Sequence, residues 1–587
     1  MNKTEYPSNI KPWKKYYENF DENFVVPEET IFMMLEKNAK KMPNNIAINY
    51  MNFKLSFKKY IEKIVNEANS LKKLGVKKGE IVPVFLPNIP EARITIYALN
   101  IIGAIAYPIN PLLPPKEFEK ILQDNDVKNV FIFNLFYEKY LPAIKNSSVD
   151  NVIMTYGTDL IPKYVLKFKN LLDTLKGKNE KNLIPDSVIS WDDFISSKGM
   201  EKIIPVYEKD VASVIIGTSG TTGTPKGVCL TNENLNSIAL EHLNGSLNFK
   251  PGDKMLDILM PSIGYGLSVM HYEGVCGLET VLIPTLHSDI YPLLKKYKPE
   301  HFTGGPIHYE TLVSQHENDD LIYGKNYVSG GATLPKNIEK KLNKINDDGS
   351  YNEENVFVRQ GLGCTENGGA STYAKKGAYK PYGVGIPLLY ETIGIFKPGT
   401  DEELGFNTDG EICISGPTVM KEYLNNEIES NKVLKVHSDG KKWLHTADIG
   451  YMDEDGQIFI KDRIKNLFAR RGFNVHPNSI TDFISSLPIV EKAYVMGVSH
   501  PEEQMVPVAF VKLKENVSLK DAENIINESC YQFLEETSIP YEIVFVSDLP
   551  LNLGGKVNAK KLLELSEIDY FKNKDKSLKR VLNIPKY

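Results

Sequence analysis

Residues 56–109 alternate between helical and strand patterns, and this alternation limits the possible fold more than any other feature of the chain. Apolar residues recur at helical spacing over 56–74, and Gly75 follows where such a helix would end. Strand, helix and strand patterns then follow in turn at 81–85, 90–103 and 104–109. The alternation predicts α/β layers around a largely parallel sheet.

The chain is long enough for more than one domain. It has 587 residues, of which 42% are hydrophobic and 25% charged, an ordinary globular composition with apolar material for a large core. The C-terminal part has shorter elements, which suffice for a smaller α+β unit. The sequence predicts a helix after Pro477, strands at 493–498 and 506–513, a helix over 519–534 and a strand at 541–546.

Charge and cysteine content exclude several classes of function. The chain has 69 Lys and Arg against 75 Asp and Glu, a net charge of −6, so it lacks the basic excess of a nucleic-acid binder. The five cysteines are widely spaced and form no CxxC pair. They are typical of reduced cytoplasmic thiols and do not indicate a disulfide framework or a zinc site.

Neither the N-terminal residues nor the longest apolar passage of the chain indicates export or membrane insertion. Residues 1–17 carry charge with no apolar stretch behind it, and the longest strongly apolar passage, 101–109, is far shorter than the roughly 20 residues of a spanning helix. We therefore expect a soluble, cytoplasmic protein. A Lys-rich stretch at 156–207 carries an amphipathic pattern over 164–175. That pattern suits either peripheral contact with the inner face of the membrane or an ordinary surface helix.

The segment 211–228, VASVIIGTSGTTGTPKGV, is a buried-strand pattern that runs into a loop rich in glycine and threonine. Such a loop suits polyphosphate, because glycines let backbone N–H groups approach oxyanions, hydroxyls donate further hydrogen bonds and a lysine supplies positive charge. The candidate phosphate ligands are Thr218, Ser219, Gly220, Thr221, Thr222, Gly223 and Lys226.

The two common nucleotide motifs do not account for this loop. A Walker A loop requires GxxxxGK[ST], whereas Lys226 is followed by Gly227. In GLGCTE (361–366) a glutamate stands where a dinucleotide fingerprint has its third glycine, and in GVGIPL (383–388) a leucine stands there.

The loop TSGTTGTPKG resembles the phosphate loop of the adenylate-forming superfamily, which includes acyl-CoA synthetases, nonribosomal peptide adenylation domains and beetle luciferases. Further segments resemble this superfamily in the same order: SGGATLP (329–335), GLGCTE (361–366), GEICISGP (410–417), WLHTADIGYMDEDG (443–456), DRIKNLFARRGFNVHP (462–477) and LPLNLGGKVNAKKL (549–562). The resemblance implies a large multi-sheet α/β domain over 1–462 and a smaller, mobile α+β lid domain over 463–587.

The same resemblance implies roles for individual residues. Glu366 would hold Mg²⁺, Asp448 would accept hydrogen bonds from the ribose, and Arg463 would contact the ribose or a phosphate. Lys465 would be the hinge, and Lys556 the catalytic lysine that reaches the α-phosphate and the attacking carboxylate. Lys226 would be a further catalytic residue, which supplies positive charge in the phosphate loop. Further nucleotide contacts are implied for Gly331, Ala332, Gly361, Leu362, Gly363 and Thr365.

Three residues depart from the superfamily pattern close to the expected nucleotide. Leu362 stands where an aromatic residue usually stacks on adenine, so we expect weaker ATP binding. Ala447 and Asp462 replace glycines, which adds a methyl group and a negative charge. These departures leave a catalytically impaired nucleotide- or acyl-binding homologue as one alternative.

The segment MPSIGYGLSVMHY (260–272) and the residue Gly330 are expected to form the acyl pocket, with Tyr265 and Gly266 in its wall. Amino-acid-activating relatives carry an aspartate in this region. Gly266 has no side chain that could pair with a substrate ammonium, which argues against α-amino acids.

The resemblance implies an ATP-dependent, AMP-forming carboxylate–CoA ligase that uses ATP, Mg²⁺ and coenzyme A. Residues 11–17 and 150–172 resemble bacterial long-chain fatty acid–CoA ligases, so we expect a medium- or long-chain fatty acid as the small-molecule partner. An aryl or branched acid stays open. The second alternative is an acyl-AMP ligase that loads a separate carrier protein.

Overall fold

The computed structural model describes residues 6–18, 21, 24–111, 113–161, 188–196, 203–218, 226–284, 288–316, 324–471, 473–500, 503–515, 517–551 and 557–565. The strands are β1 (Ile46–Tyr50), β2 (Phe53–Ser56), β3 (Ile81–Phe85), β4 (Ile105–Pro108), β5 (Asn129–Phe133), β6 (Asn151–Thr155), β7 (Ile189–Ser190), β8 (Ala212–Thr218), β9 (Lys226–Thr231), β10 (Lys254–Asp257), β11 (Glu279–Leu282), β12 (His301–Gly304), β13 (Asn326–Ser329), β14 (Arg359–Gln360), β15 (Thr372–Tyr373), β16 (Ile386–Pro387), β17 (Thr392–Phe396), β18 (Gly410–Ser415), β19 (Glu422–Tyr423), β20 (Leu434–Val436), β21 (Lys442–Met452), β22 (Ile458–Arg463), β23 (Phe468–Arg470), β24 (Phe473–Val475), β25 (Val490–His500), β26 (Gln504–Leu513) and β27 (Glu542–Phe545).

Helices alternate with these strands along most of the chain. They are α1 (Pro7–Ile10), α2 (Ile31–Ala39), α3 (Phe57–Leu74), α4 (Pro90–Ile101), α5 (Pro115–Asp124), α6 (Asn134–Lys145), α7 (Trp191–Ser196), α8 (Asn232–Glu241), α9 (Gly264–Cys276), α10 (Tyr291–Tyr297), α11 (Pro306–Gln315), α12 (Lys336–Leu342), α13 (Glu427–Val433), α14 (Pro477–Ser485), α15 (Leu519–Phe533) and α16 (Ala559–Leu565).

Two large, mostly parallel sheets form the body of the protein. The first has the order β19-β9-β8-β4-β3-β5-β6-β7, in which only the β8–β9 and β9–β19 pairs are antiparallel. The second has the order β14-β13-β12-β10-β11-β1-β2, in which only the β1–β2 pair is antiparallel. The predicted α/β layering around largely parallel sheets is therefore confirmed.

Helix α4 lies between these two sheets, and every one of its residues is buried. One hydrophobic cluster joins it to residues of both sheets and to α3. Its one basic residue, Arg93, is paired with Asp257 of β10 and with Glu273 of α9, the latter at 2.8 Å. A buried charge requires such partners, so the triad fixes how α4 sits on the second sheet.

The remaining sheets are smaller. Strands β17-β18-β21-β20 form an antiparallel sheet, to which β22 is added through β21. Strands β24-β23-β26-β25, with β27 added parallel to β26, form the C-terminal sheet. Helices α14 and α15 contribute to the hydrophobic cluster of the C-terminal sheet, as an α+β unit requires.

The predicted elements occur close to their expected positions. Helix α3 begins after the cap Ser56 and ends at Gly75, which has φ +92° and so takes the left-handed conformation that stops the helix. The predicted helix at 90–103 ends at Ile101, and the C-terminal elements follow the predicted order. The predicted amphipathic helix at 164–175 lies outside the described residues. Within the described part of the chain, none of the helices combines the length and the apolar character that crossing a bilayer demands.

Candidate nucleotide and acyl site

Strands β8 and β9 form the hairpin that carries the glycine- and threonine-rich loop. Thr218 at the end of β8 pairs with Lys226 at the start of β9, and Thr218 Oγ1 donates to the Lys226 carbonyl at 3.4 Å. The predicted ligands between them, Ser219, Gly220, Thr221, Thr222 and Gly223, lie outside the described residues. The hairpin therefore places both ends of the predicted phosphate loop side by side at the strand ends.

Lys226 contacts two residues that the sequence did not single out. Its ammonium forms an ion pair with Glu429 of α13 and lies 4.9 Å from the ring centroid of Tyr423. Hydrogen bonds from Lys226 and then from Lys432 lower the pKa of Glu429 to about 2. The loop lysine is thus held beside an aromatic face by a carboxylate that is ionised at neutral pH.

Tyr423 also reaches the predicted metal ligand Glu366. Its hydroxyl donates to Glu366 Oε1 at 2.7 Å, and burial together with the charge of Glu366 raises the pKa of Tyr423 well above its usual range. The backbone N–H of Met420 donates to the Glu366 carbonyl at 2.8 Å, and that of Leu424 to the Gly227 carbonyl at 2.7 Å. The segment 420–424 therefore ties Glu366 to the phosphate hairpin.

The residues at this point fit a magnesium ion. No described residue forms a hydrogen bond with Glu366 Oε2, so one carboxylate oxygen is available to a ligand. Carboxylate and hydroxyl oxygens are the hard ligands that Mg²⁺ prefers, and it usually takes only one or two carboxylates beside phosphate oxygens.

A cavity with about 420 Å³ of empty space, which includes space open to solvent, lies at the carboxyl ends of β13 and β14. Predicted residues line it: Tyr265, Gly330, Gly331, Gly361, Leu362 and Gly363. Ala332 is exposed beyond Gly331, and Thr365 begins the short turn that carries Glu366. Parallel sheets bind ligands at this edge, so the predicted adenine and acyl segments do meet.

Two glycines of the predicted acyl pocket have different surroundings. A Cβ at Gly330 would lie 2.8 Å from the ring of Tyr265, so glycine makes room for that ring. A Cβ at Gly266 would lie 2.1 Å from the Met260 carbonyl oxygen, and Gly266 does not line the cavity. The absence of an acid at position 266 therefore reflects close backbone packing. Contrary to the expectation from the sequence, Gly266 therefore does not face the cavity.

Asp448 and Arg463 pair across β21 and β22. Arg463 Nε donates to Asp448 Oδ1 at 2.6 Å. Burial lowers the pKa of Arg463, but the charge of Asp448 and its hydrogen bond act in the opposite direction, and the net effect is a raised pKa. Burial, followed by the charges of Glu366 and Asp448, raises the pKa of the Cys364 thiol, and Cys364 follows the lining residue Gly363. The candidate ribose and metal ligands therefore lie near Cys364, next to the edge of the cavity.

Ala447 has a φ of +60°, the left-handed conformation that glycine adopts without strain. Its N–H donates to Glu411 Oε1 at 3.1 Å, and Glu411 Oε2 pairs with His445 Nδ1 at 2.8 Å. The conformation explains why a glycine was expected here. The sequence did not indicate Glu411 as the residue that holds this bend, although it lies in the GEICISGP segment.

Asp462 does not line the cavity, contrary to the expectation that it adds a negative charge close to the nucleotide. Its carboxylate is buried and accepts hydrogen bonds from the Arg463 N–H at 2.8 Å, the Asn466 amide at 3.1 Å and the Asn478 N–H at 2.9 Å. Asn478 is in the first turn of α14. The carboxylate therefore caps α14 and joins the predicted hinge segment to the C-terminal unit.

In the sequence, the predicted hinge residue stands at the start of that unit and the predicted catalytic lysine near its end. Lys465 lies in the short turn Ile464–Asn466. Partial burial of its ammonium, followed by the charge of Arg463, lowers its pKa. Lys556 lies outside the described residues. The residues that flank its segment, Leu551 and Val557, form an antiparallel bridge.

The AMP-binding enzyme family model matches residues 35–424, and the model of the AMP-binding enzyme C-terminal domain matches residues 480–556. The chain belongs to the AMP-binding enzyme family. The first match includes the hairpin, the cavity and Glu366, and ends just after Tyr423. The second begins within α14 and ends at Lys556, so the two matches lie on either side of Lys465.

Curated relatives of the family cover nearly the whole chain. A long-chain-fatty-acid–CoA ligase of Bacillus subtilis is 30% identical over 568 residues, which are 94% of this chain and 98% of the relative. A probable 4-coumarate–CoA ligase 2 of Dictyostelium discoideum is 29% identical over 570 residues, with the same coverage.

Solved structures share the fold at lower identity. An anthranilate CoA ligase in complex with anthranoyl-AMP superposes with a TM-score of 0.79 at 20% identity and covers 94% of this chain and 99% of that one. The o-succinylbenzoate CoA synthetase of Bacillus subtilis, in complex with its acyl-adenylate, has a TM-score of 0.70 at 22% identity and covers 91% and 98%.

Proposed function

We propose that this member of the AMP-binding enzyme family is an AMP-forming carboxylate–CoA ligase that uses ATP, Mg²⁺ and coenzyme A. The observation that carries the proposal is the chain of contacts from Lys226 through Tyr423 to Glu366, which joins the phosphate hairpin to the predicted metal ligand. The proposed architecture has an adenylation domain over 1–462 and a lid over 463–587. The curated relatives named as CoA ligases support this activity.

In the first half-reaction, the substrate carboxylate would attack the α-phosphorus of ATP and release pyrophosphate. The loop that begins at Thr218 would hold the phosphates, and Lys226 would offset their charge. Mg²⁺ on Glu366 would supply further charge neutralisation. Asp448 would accept hydrogen bonds from the ribose hydroxyls. Arg463 would donate hydrogen bonds from its rigid guanidinium to the ribose or a phosphate.

Leu362 and the adjacent glycines at the cavity edge would pack against adenine without aromatic stacking. Leu362 is buried in the same hydrophobic cluster as Trp13 and Ile386, so its position is set by the core and not by the ligand. Because stacking would be absent, we retain the expectation of weaker ATP binding.

In the second half-reaction, the CoA thiol would attack the acyl carbonyl and AMP would leave. The lid would rotate about Lys465 between the two steps, withdrawing Lys556 from the α-phosphate. Asp462 would stay with the hinge, since it binds both Asn466 and the first turn of α14.

The acid would have a neutral tail, and we favour a medium- or long-chain fatty acid. The cavity wall beyond the glycines includes Leu247, Val328 and three tyrosines. Its one basic side chain, His242, is neutral because burial lowers its pKa to about 3. An α-amino acid would place an ammonium here without a counter-charge, at a cost of several kcal/mol.

The test is pyrophosphate release from ATP and Mg²⁺ over a panel of carboxylic acids, with and without CoA. We expect release with octanoate, thioester formation when CoA is added, and little activity with leucine. Release without any thioester would favour the acyl-AMP ligase that loads a carrier protein. No release with any acid would favour the impaired binding homologue, and preference for leucine would overturn the neutral-tail assignment.

A further inference from the structure

One polar side chain in the cavity wall, His242, has no hydrogen-bond partner among the described residues. By contrast, Thr372 of the same wall donates to the Val384 carbonyl, and Tyr373 donates to Asn326 Oδ1. No described residue forms a hydrogen bond with the imidazole of His242. The wall therefore contains a hydrogen-bonding group that the protein itself does not use.

His242 is held firmly in place. It begins the π-helical turn His242–Ser246 that follows α8, and it is 5% exposed. Its ring contacts Tyr272 edge to face with centroids 4.5 Å apart, and Phe249 with centroids 5.9 Å apart. A ring packed in this way cannot turn away to find another partner without opening the wall.

The hydrogen on the imidazole can be assigned from its surroundings. Burial lowers the pKa of His242 to about 3, so the ring is neutral at physiological pH and has a single N–H. Nδ1 is fully buried with no partner among the described residues. A buried N–H without an acceptor costs more than an unpaired lone pair, so the hydrogen resides on Nε2. The ring thus presents a donor to the cavity.

We propose that the tail of the acyl substrate contains a neutral oxygen that accepts a hydrogen bond from Nε2 of His242. The proposal rests on the proposed ligase function and narrows its substrate from plain fatty acids to oxygenated acids. A hydroxyl on an aliphatic chain and a phenolic hydroxyl share this chemistry. Either would complete the hydrogen bonding of the wall in a way that an unsubstituted chain cannot.

The first experiment uses the unmodified enzyme and matched pairs of acids. It measures kcat/KM for pyrophosphate release with hexanoate, octanoate, decanoate and dodecanoate against their ω-hydroxy forms, and with cinnamate against 4-hydroxycinnamate. We expect the oxygenated member of at least one pair to be preferred on the order of tenfold, the usual worth of one neutral hydrogen bond. The aliphatic and aryl pairs distinguish the two sources of the hydroxyl.

Three outcomes are then separable. A preference in any pair supports the proposal, while activity with unsubstituted acids that equals or exceeds activity with every oxygenated form would overturn it. No release with any acid would instead refute the ligase function on which the proposal rests.

The second experiment changes His242 in the pair that shows the preference. His242→Phe keeps an aromatic ring against Tyr272 but removes the hydrogen-bond donor, so the preference for the oxygenated acid should disappear. His242→Gln keeps a neutral N–H and should retain part of it. Tyr327→Phe removes a buried hydroxyl that donates to the Pro299 carbonyl and does not line the cavity, so it should leave the ratio as in the parent. If His242→Phe kept the full preference while thermal unfolding showed a folded protein, His242 would not be the donor.

Discussion

The backbone N–H of Ala447 donates to Glu411 Oε1 across 3.1 Å, and this bond holds a left-handed bend one residue before Asp448. Glu411 is itself held by His445 at 2.8 Å. Burial alone would raise the pKa of Glu411, but the hydrogen bond from His445 and those from backbone N–H groups have a larger, opposite effect. The net pKa is lowered, so the carboxylate is ionised at neutral pH. The orientation of the candidate ribose ligand therefore depends on a buried anion.

Replacing Ala447 with glycine should relieve this bend. A left-handed alanine costs the folded state about 1–2 kcal/mol. The added freedom of glycine in the unfolded chain opposes this gain by about 0.4–1 kcal/mol. We expect Ala447→Gly to raise the free energy of unfolding by roughly 0.5 kcal/mol in denaturant titrations. Ala143→Gly, within helix α6, should lower it by about 1 kcal/mol. A loss of stability in Ala447→Gly would show that the bend is not strained.

Tyr423→Phe should weaken the binding of Mg²⁺ without disturbing Lys226. The variant keeps the ring beneath the ammonium but removes the hydroxyl that orients Glu366. Hydrogen bonds to charged groups contribute about 1.5–3 kcal/mol, so the apparent Mg²⁺ constant for pyrophosphate release should rise about tenfold or more.

Direct titration with Mn²⁺ in the presence of ATP provides a second readout for Tyr423, and Tyr451→Phe, whose ring stacks on Phe459, serves as the matched control. An unchanged metal constant with a raised KM for ATP would show that Tyr423 acts through the nucleotide and not through Glu366.

Local pattern predicted much of the fold, and motif order predicted much of the site. The stripe of α3 and its stop at Gly75 could be read from spacing alone, because both are set within one helix. The contact of Tyr423 with Glu366 joins residues 57 positions apart and depends on how β19 pairs with β9. No local pattern contains that pairing.

The errors have the same origin. The neighbours of Gly266 resemble an acyl segment and predict that it faces the substrate, whereas the Met260 carbonyl fills the space where its side chain would be. The position of Asp462 before the hinge arginine predicts a charge close to the nucleotide, whereas its carboxylate accepts a hydrogen bond from the first turn of α14. Both outcomes depend on which backbone group lies opposite, which only the assembled fold determines.

The free energy of unfolding should fall as the pH rises, because the buried carboxyl of Glu67 has a raised pKa. This buried carboxyl accepts hydrogen bonds from Thr95 Oγ1 and Trp191 Nε1, and burial raises its pKa to about 8. Between the unfolded pKa near 4.5 and the folded value, the native state holds a proton that the unfolded chain has released. The stabilisation is complete at low pH and is lost as the pH rises toward 8.

The measurement is the thermal midpoint of the parent and of Glu67→Gln at pH 5.5 and pH 8.5. The amide can pair with both neighbours but does not titrate, so the variant should gain on the parent as the pH rises. A difference between the two proteins that is the same at both pH values would contradict the raised pKa.

Lys465→Pro should separate the two half-reactions. Proline fixes φ and would restrict the rotation that follows adenylation, while the residues that meet ATP are unchanged. We expect near-parental pyrophosphate release and a sharp fall in thioester formation from chemically made acyl-AMP and CoA. Lys465→Ala removes the charge without restricting the backbone and should preserve both steps. A parallel loss of both steps in the proline variant alone would place the hinge elsewhere.

Lys556→Ala should show the opposite separation. Its ammonium would offset charge that spreads over the pentavalent α-phosphorus and the incoming carboxylate, so its loss should slow adenylation on the order of 10²- to 10³-fold. Thioester formation from supplied acyl-AMP involves no such phosphorus centre and should be largely spared. Lys560→Ala, at a lysine whose side chain is 88% exposed on α16, is the matched control and should affect neither step. Normal adenylation by Lys556→Ala would make Lys556 an ordinary surface lysine, and equal loss of both steps would indicate a misfolded C-terminal unit.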